Sequence, residues 1–243
     1  AYFVAEDSEC GLTRIKTLIR YWRRLLREDF RWTLRSMVWV LSKYHLRFSR
    51  VRVGYPVSDI PVFFINLDRR PDRLAQFEET FGEFQLSKPM RVPGVEHADP
   101  MIGCSLAHEK ALSEALKLGA EFSIIAEDDV MMRSSPAKLH AAISEFCGNS
   151  ALDVLCIGNR VKGLLFTISD DLAVSNDIQT ASLYVVKKDA LGKLIQSMAE
   201  SSQMLAAGLP WKVAAPDTHW KKLQKRGLVF AVPRERCATQ RAG

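Results

Sequence analysis

The sequence predicts a mixed α/β domain preceded by a basic helical extension. Three observations carry this. Short apolar runs, "IPVFFINL", "FSIIA", "LDVLCIGN" and "LVFAVP", have the length of strands buried on both faces. Between them lie longer stretches whose apolar residues recur at helical spacing, so strands alternate with helices. Finally, twelve of the 34 Lys and Arg residues fall within residues 11–55, against only Glu28 and Asp29.

The chain has 243 residues, 47% apolar, enough for one sizeable core plus an appendage. With 26% charged and 9% aromatic residues it has the balance of a globular protein, and no apolar run approaches the ~18 residues of a membrane span. The five cysteines are odd in number and form no C-x-x-C pair, which points to neither a disulfide framework nor a structural zinc site. Cys156 sits in an apolar run and is expected to be a buried thiol; a reducing, cytoplasmic setting follows.

In the extension, Leu12, Ile15, Leu18, Ile19, Trp22, Leu25 and Leu26 share one helix face, and Arg14, Arg20, Arg23, Arg24 and Arg27 occupy much of the rest. A second helical stretch follows at Leu34, Met37, Val38, Leu41 and Tyr44. Two readings stay open: a helical hairpin packed on the domain, or an amphipathic surface (residues 11–50) meeting anionic lipid at the inner face of a membrane. Nucleic acid is not an expected partner, because nothing else in the chain has the form of a nucleic-acid module. The Gly and Pro of "RVRVGYPVSD" mark the boundary, giving an extension over 1–55 and a domain over 56–243.

Along the domain, "IPVFFINL" is the first strand and "DRRPDRLAQFEETF" a helix with Pro71 and Asp72 in its first turn. "GCSLAHEKALSEALKLG" predicts a helix capped by Ser105, with Leu106, Leu112 and Leu116 on one face and Gly119 ending it. Strands follow at "FSIIA", "LDVLCIGN", "TASLYVVKK" and "LVFAVP", with helices at "DALGKLIQSMAE" and "PDTHWKKLQKRG".

Ligands of open α/β sheets collect at the carboxyl ends of strands. One such end delivers Asn66, Asp68, Arg69, Arg70 and Arg73, which suits phosphate or a nucleotide, or else surface ion pairs with Asp68 and Asp72. The other ends in three successive acids, Glu127, Asp128 and Asp129. These either hold Mg²⁺ or Mn²⁺ or form a solvated acidic turn. Cys104 and His108, four apart, are a structural pair or a metal pair; a cysteine nucleophile is open in principle, with no base partner identified. Asp217 and His219 are either base and metal ligand, or a capping Asp with a surface His.

Taken in order, "FFINLDRRPDRL", "GCSLAHEKAL", "IIAEDDV", "ASLYVVKKDAL", the Asp of "APDTHW" and "VPRERCATQ" resemble glycosyltransferase family 25. That family holds the bacterial lipopolysaccharide-type β-galactosyltransferases and their collagen-modifying relatives. The resemblance spans about Ile60 to Gln240. It implies a GT-A-type, Rossmann-like mixed sheet with helices on both faces. It also implies an inverting, metal-assisted transfer of a sugar, typically galactose, from a UDP-sugar to a hydroxyl of a glycan, glycolipid or protein. Residue by residue, it implies Asn66, Leu67, Arg70 and Arg73 for the nucleotide pocket, with His108 on the same side. Glu127 and Asp129 match the acids that meet ribose and metal, with Asp128 between them. Asp217 matches a late acid near the acceptor, a general base, and His219 beside it is a further candidate metal ligand. Two positions depart from the family's pattern: Ala107 where Ser is usual, and Leu183 where Gly is usual. A non-catalytic nucleotide-sugar or protein-binding module of the same fold, held at a membrane surface, is the alternative.

Overall fold

The computed structural model describes residues 55–162 and 166–241; residues 1–54, and with them the basic helical stretches, lie outside. The described part is a mixed sheet with helices on both faces. Its strands are β1 (Val62–Asn66), β2 (Met90–Pro93), β3 (Phe122–Glu127), β4 (Val130–Met132), β5 (Val154–Val161), β6 (Phe166–Thr167), β7 (Leu172–Ser175), β8 (Ile178–Lys187), β9 (Phe230–Pro233) and β10 (Ala238–Gln240). The helices are α1 (Pro71–Glu83), α2 (Pro100–Leu118), α3 (Pro136–Gly148), α4 (Lys188–Ala206), and the short α5 (Trp211–Ala214), α6 (Pro216–His219) and α7 (Lys221–Lys225).

The strand order is β2-β1-β3-β8-β5-β9-β7-β6, with β10 pairing β4 and β5. Strands β2, β1 and β3 run parallel, so Asn66, Pro93 and Glu127 reach the same edge. Strand β8 inserts antiparallel between β3 and β5. Side chains alternate across each strand. Phe64 stacks on Phe77 of α1, and Phe122 meets Phe146 of α3 edge-on, so these helices cover one face. On the opposite face Phe63, Ile65 and Ile125 join Ala107, Ala111 and Ala115 of α2 and Leu191, Leu194 and Met198 of α4 in one core. Tyr184, Trp220 and Phe230 interlock edge-to-face, and the buried Trp220 indole donates to the Ile178 carbonyl (3.0 Å).

The start of α2 differs from the expectation. Asp99, not Ser105, is the cap: its carboxylate accepts from the Met101 N–H (2.8 Å), and Pro100 follows at the first helical position. Ser105 is interior, its hydroxyl between the Met101 carbonyl and Ser201. The buried face is not the leucine stripe either, since Leu116 is 43% exposed while Ala107, Ala111, Leu112 and Ala115 are buried. Small residues there let α2 lie close to α4. The C-terminal end is as expected: Gly119 takes φ +74°, the left-handed conformation that ends a helix without a Cβ clash. The single helix expected over "PDTHWKKLQKRG" is two short ones. Cys156 is fully buried. Among the described residues no helix is long and apolar enough to cross a membrane.

Candidate active site

At the carboxyl edge of β2, β1 and β3 lies a cleft of about 780 Å³. Its floor is the end of β3, with Glu127, Asp128 and Asp129. One wall is the 94–98 loop, and another is the first turns of α2 with Cys104, Ala107 and His108. Leu67, Arg69 and Arg73 come from the β1–α1 junction, and Gln240 from the C-terminal strand.

The three acids do different work. Glu127 is saturated: Oε1 lies 3.0 Å from His108 Nε2 and accepts from the Cys104 thiol (3.6 Å), while Oε2 accepts from Gln240 (2.8 Å). Burial acts to raise the Glu127 carboxyl, but the bonds from His108, Gln240 and Cys104 outweigh it and hold it below its ordinary value. Asp128 is a strap between segments, accepting from Arg73 Nη1 (2.8 Å) and Asn66 Nδ2 (2.9 Å). Asp129 differs from both: its Oδ1 is buried with no hydrogen-bond partner. Burial first, then the charges of Glu127 and Asp128, raise this carboxyl to about 6, with Arg73 opposing. Arg73 in turn has a buried Nε with no acceptor. Two residues lining the cleft therefore each keep one buried polar atom unpartnered, an acceptor on Asp129 and a donor on Arg73, and their opposite charges complement a cation and an anion held together. Divalent Mg²⁺ or Mn²⁺ would fit Asp129, a hard oxygen donor on which a positive ion relieves crowded negative charge.

The C-terminal segment braces this turn. Strand β10 pairs β4 directly after the acids, and the Arg241 N–H donates to the Asp129 carbonyl (2.7 Å). Gly103 sets the distance between α2 and the opposite wall, since a Cβ there would lie 2.5 Å from the Val95 carbonyl oxygen.

Several expected residues take other places. Asn66 is 1% exposed and saturated: it donates to Asp128 and the Arg70 carbonyl and accepts from Arg91, so it organises the β1–α1 turn instead of lining the cleft. Arg70 forks onto Asp72 (2.9 and 2.7 Å) and does not line the cleft. His219 does not line the cleft that holds Asp129. Its ring is buried in a separate cavity, on Ser197 (3.0 Å), Lys222 (3.0 Å) and Glu200 (3.4 Å). Two residues on a helix differ by about 200° in direction, so Asp217 and His219 cannot face one site.

Asp217 lies near the cleft. Its carboxylate acts electrostatically on Cys104 and accepts from the Thr180 N–H (3.1 Å). Thr180 is held at φ +77°, strained for a β-branched residue, where the β5–β8 register is irregular. Burial first, then Glu127, Asp217 and Asp129, push the Cys104 thiol well above its ordinary value. That environment disfavours a thiolate nucleophile. The 94–98 wall and Arg91 carried no sequence signal of a site, and Gln240, though it ends the "VPRERCATQ" stretch, had no role assigned, because each acquires its place only through long-range packing.

No family model matches the chain, and no curated protein matches it. Among solved structures it is similar to a glycosyltransferase involved in glycosylation of the major capsid of PBCV-1 (12% identity, 70% of this chain and 91% of that one, TM-score 0.41). It is also similar to a mannosyltransferase from Pyrobaculum calidifontis in complex with GDP-Man and Mn²⁺ (13%, 86% and 66%, TM-score 0.40). A third is a mannose-1-phosphate geranyltransferase from Thermus thermophilus (10%, 72% and 73%, TM-score 0.41). These likenesses are partial, and the chemistry of the cleft is carried by its own residues.

Proposed function

We propose that the chain is a GT-A-type, family 25-like glycosyltransferase that moves a sugar, galactose in the first instance, from a UDP-sugar to an acceptor hydroxyl with inversion. The observation that carries this is that Asp129 and Arg73, each with a buried side-chain atom that has no hydrogen-bond partner, line one cleft at the ends of parallel strands. A divalent cation on Asp129, when bound, supplies Lewis-acid stabilisation of a diphosphate leaving group.

The chain's own residues do the rest. Arg73, fixed by Asp128, offers positive charge to the phosphates. Leu67 and the 94–98 wall give apolar and backbone surface to the nucleotide. Asp217, oriented by the Thr180 N–H, accepts the proton of the acceptor hydroxyl as its oxygen bonds to the anomeric carbon and the bond to the diphosphate breaks. Attachment to an inner leaflet through residues 11–50 would bring a glycolipid acceptor within reach.

A panel of UDP-, GDP- and CMP-sugars, with and without Mn²⁺, read out as released nucleotide, tests this. The expected result is turnover of a UDP-sugar that depends on Mn²⁺ and falls at least ~100-fold in Asp217→Asn, with UDP binding retained. Nucleotide binding without turnover of any donor would instead favour the non-catalytic module.

A further inference from the structure

Besides the hard oxygen of Asp129, the cleft contains a second donor set of different chemistry. Cys104 and His108 stand four residues apart on α2, so both side chains leave one face of the helix, and Glu127 meets them from the end of β3. Cys104 Sγ, His108 Nε2 and a Glu127 oxygen lie within 4.8 Å of one another. We propose that Cys104, His108 and Glu127 form a site for a thiophilic divalent ion, Zn²⁺ in the first instance, distinct from the Mg²⁺ or Mn²⁺ position at Asp129.

Three features support it. The first is distance. Tetrahedral zinc with bonds of about 2.0 to 2.3 Å sets its ligand atoms roughly 3.3 to 3.6 Å apart. Here His108 Nε2 and Cys104 Sγ lie 3.0 and 3.6 Å from the same Glu127 oxygen, within a few tenths of an ångström of that spacing, and all three ligand atoms lie within 4.8 Å of one another, a gap that side-chain rotation can close. The second is the outer shell. A ligating imidazole needs a partner for its other nitrogen, and His108 Nδ1 lies 3.2 Å from the buried Tyr184 hydroxyl. The other oxygen of Glu127 is held by Gln240 at 2.8 Å. The third is charge: Asp129 and Asp217 add negative potential at Cys104, which favours a cation.

Sulfur, nitrogen and oxygen together suit Zn²⁺ or Co²⁺ and discriminate against Mg²⁺, which seeks oxygen alone. On binding, the thiol proton passes to solvent and the sulfur–metal bond forms. Three protein ligands leave a fourth position on the cleft side, open to water or to an oxygen of a bound molecule. Zn²⁺ there would also occupy Glu127, next to the proposed donor site, and so act on transfer from within the cleft.

The test uses the full chain, stripped of metal with a chelator and titrated with Co²⁺ alone. The expected spectrum has near-ultraviolet thiolate-to-cobalt charge transfer and intense visible bands of four-coordinate cobalt. Stoichiometric Zn²⁺ should abolish both, and excess Mg²⁺ should abolish neither. Cys104→Ser should lose the charge-transfer band with an unchanged circular-dichroism spectrum. Tyr184→Phe should weaken Co²⁺ binding about 10- to 100-fold while keeping the band. No charge-transfer band in the parent protein would overturn the proposal. So would a band of equal strength in Cys104→Ser, since another cysteine would then be the ligand. Neither result bears on the transferase reading, because the probe is the metal alone.

Discussion

In Asp129 the protein holds a carboxylate whose pKa is raised to about 6 by burial and by the charges of Glu127 and Asp128. The stability consequence has a definite sign. Neutral Asp129 costs nothing below the ordinary carboxylate range, near pH 4. As pH rises through 6, the folded state must ionise a group it disfavours, and stability is lost. Discounted for partial solvent screening, the loss is on the order of 1–2 kcal/mol. Asp129→Asn in metal-free protein should therefore melt a few degrees above the parent at pH 8, with the gap closing near pH 4. A variant that melts below the parent at pH 8 would contradict this. The sequence "EDD" made this residue a candidate but could not distinguish the three acids. The distinction rests on partners far along the chain: Asn66 and Arg73 engage Asp128, and His108 and Gln240 engage Glu127. Those contacts leave Asp129 as the acid with an unpartnered oxygen. For the same reason Asn66, read as a pocket residue, is a buried brace.

Among the elements, strands β1 and β3 were legible because strands buried on both faces must be apolar throughout, and both end at polar residues, Asn66 bracing the turn and Glu127 lining the cleft. Helix α2 was legible in extent at its C-terminal end but not in its face. Its contact with α4 uses alanines and serines, which carry little periodic hydrophobic signal. Strand β10, three residues long, has no pattern to read, yet it braces the acidic turn. Gly103 offers a test of how α2 shapes the cleft. A Cβ there would press on the Val95 backbone oxygen at 2.5 Å, and backbone cannot rotate away as a side chain can. Gly103→Ala should cost about 1–3 kcal/mol in denaturant unfolding and weaken nucleotide binding. Gly192→Ala, in α4 with nothing within 4 Å of the new Cβ, should instead stabilise by about 0.5–1 kcal/mol. Equal effects of the two would mean that the α2–loop contact is not under tension.

Across the whole described molecule, parallel β2, β1 and β3 send their carboxyl ends to one edge, and the antiparallel β8 joins them to the rest of the sheet. Such an edge gathers residues that are distant in sequence, which is how Arg73, Cys104, Asp129 and Gln240 come to share a cleft. The mixed α/β class was legible from the alternation of apolar runs and helical stretches. The cleft's walls were not, because a loop's position follows from packing and not from its own composition. The central claim is that this cleft takes a nucleoside diphosphate together with a cation on Asp129. Calorimetric titration of UDP into the full chain, with Mn²⁺ and with chelator, tests it most directly. Binding is expected to be at least ~10-fold tighter with Mn²⁺, and Asp129→Ala is expected to erase that difference. UDP that binds equally well with chelator, or a Mn²⁺ effect that survives Asp129→Ala, would contradict the account.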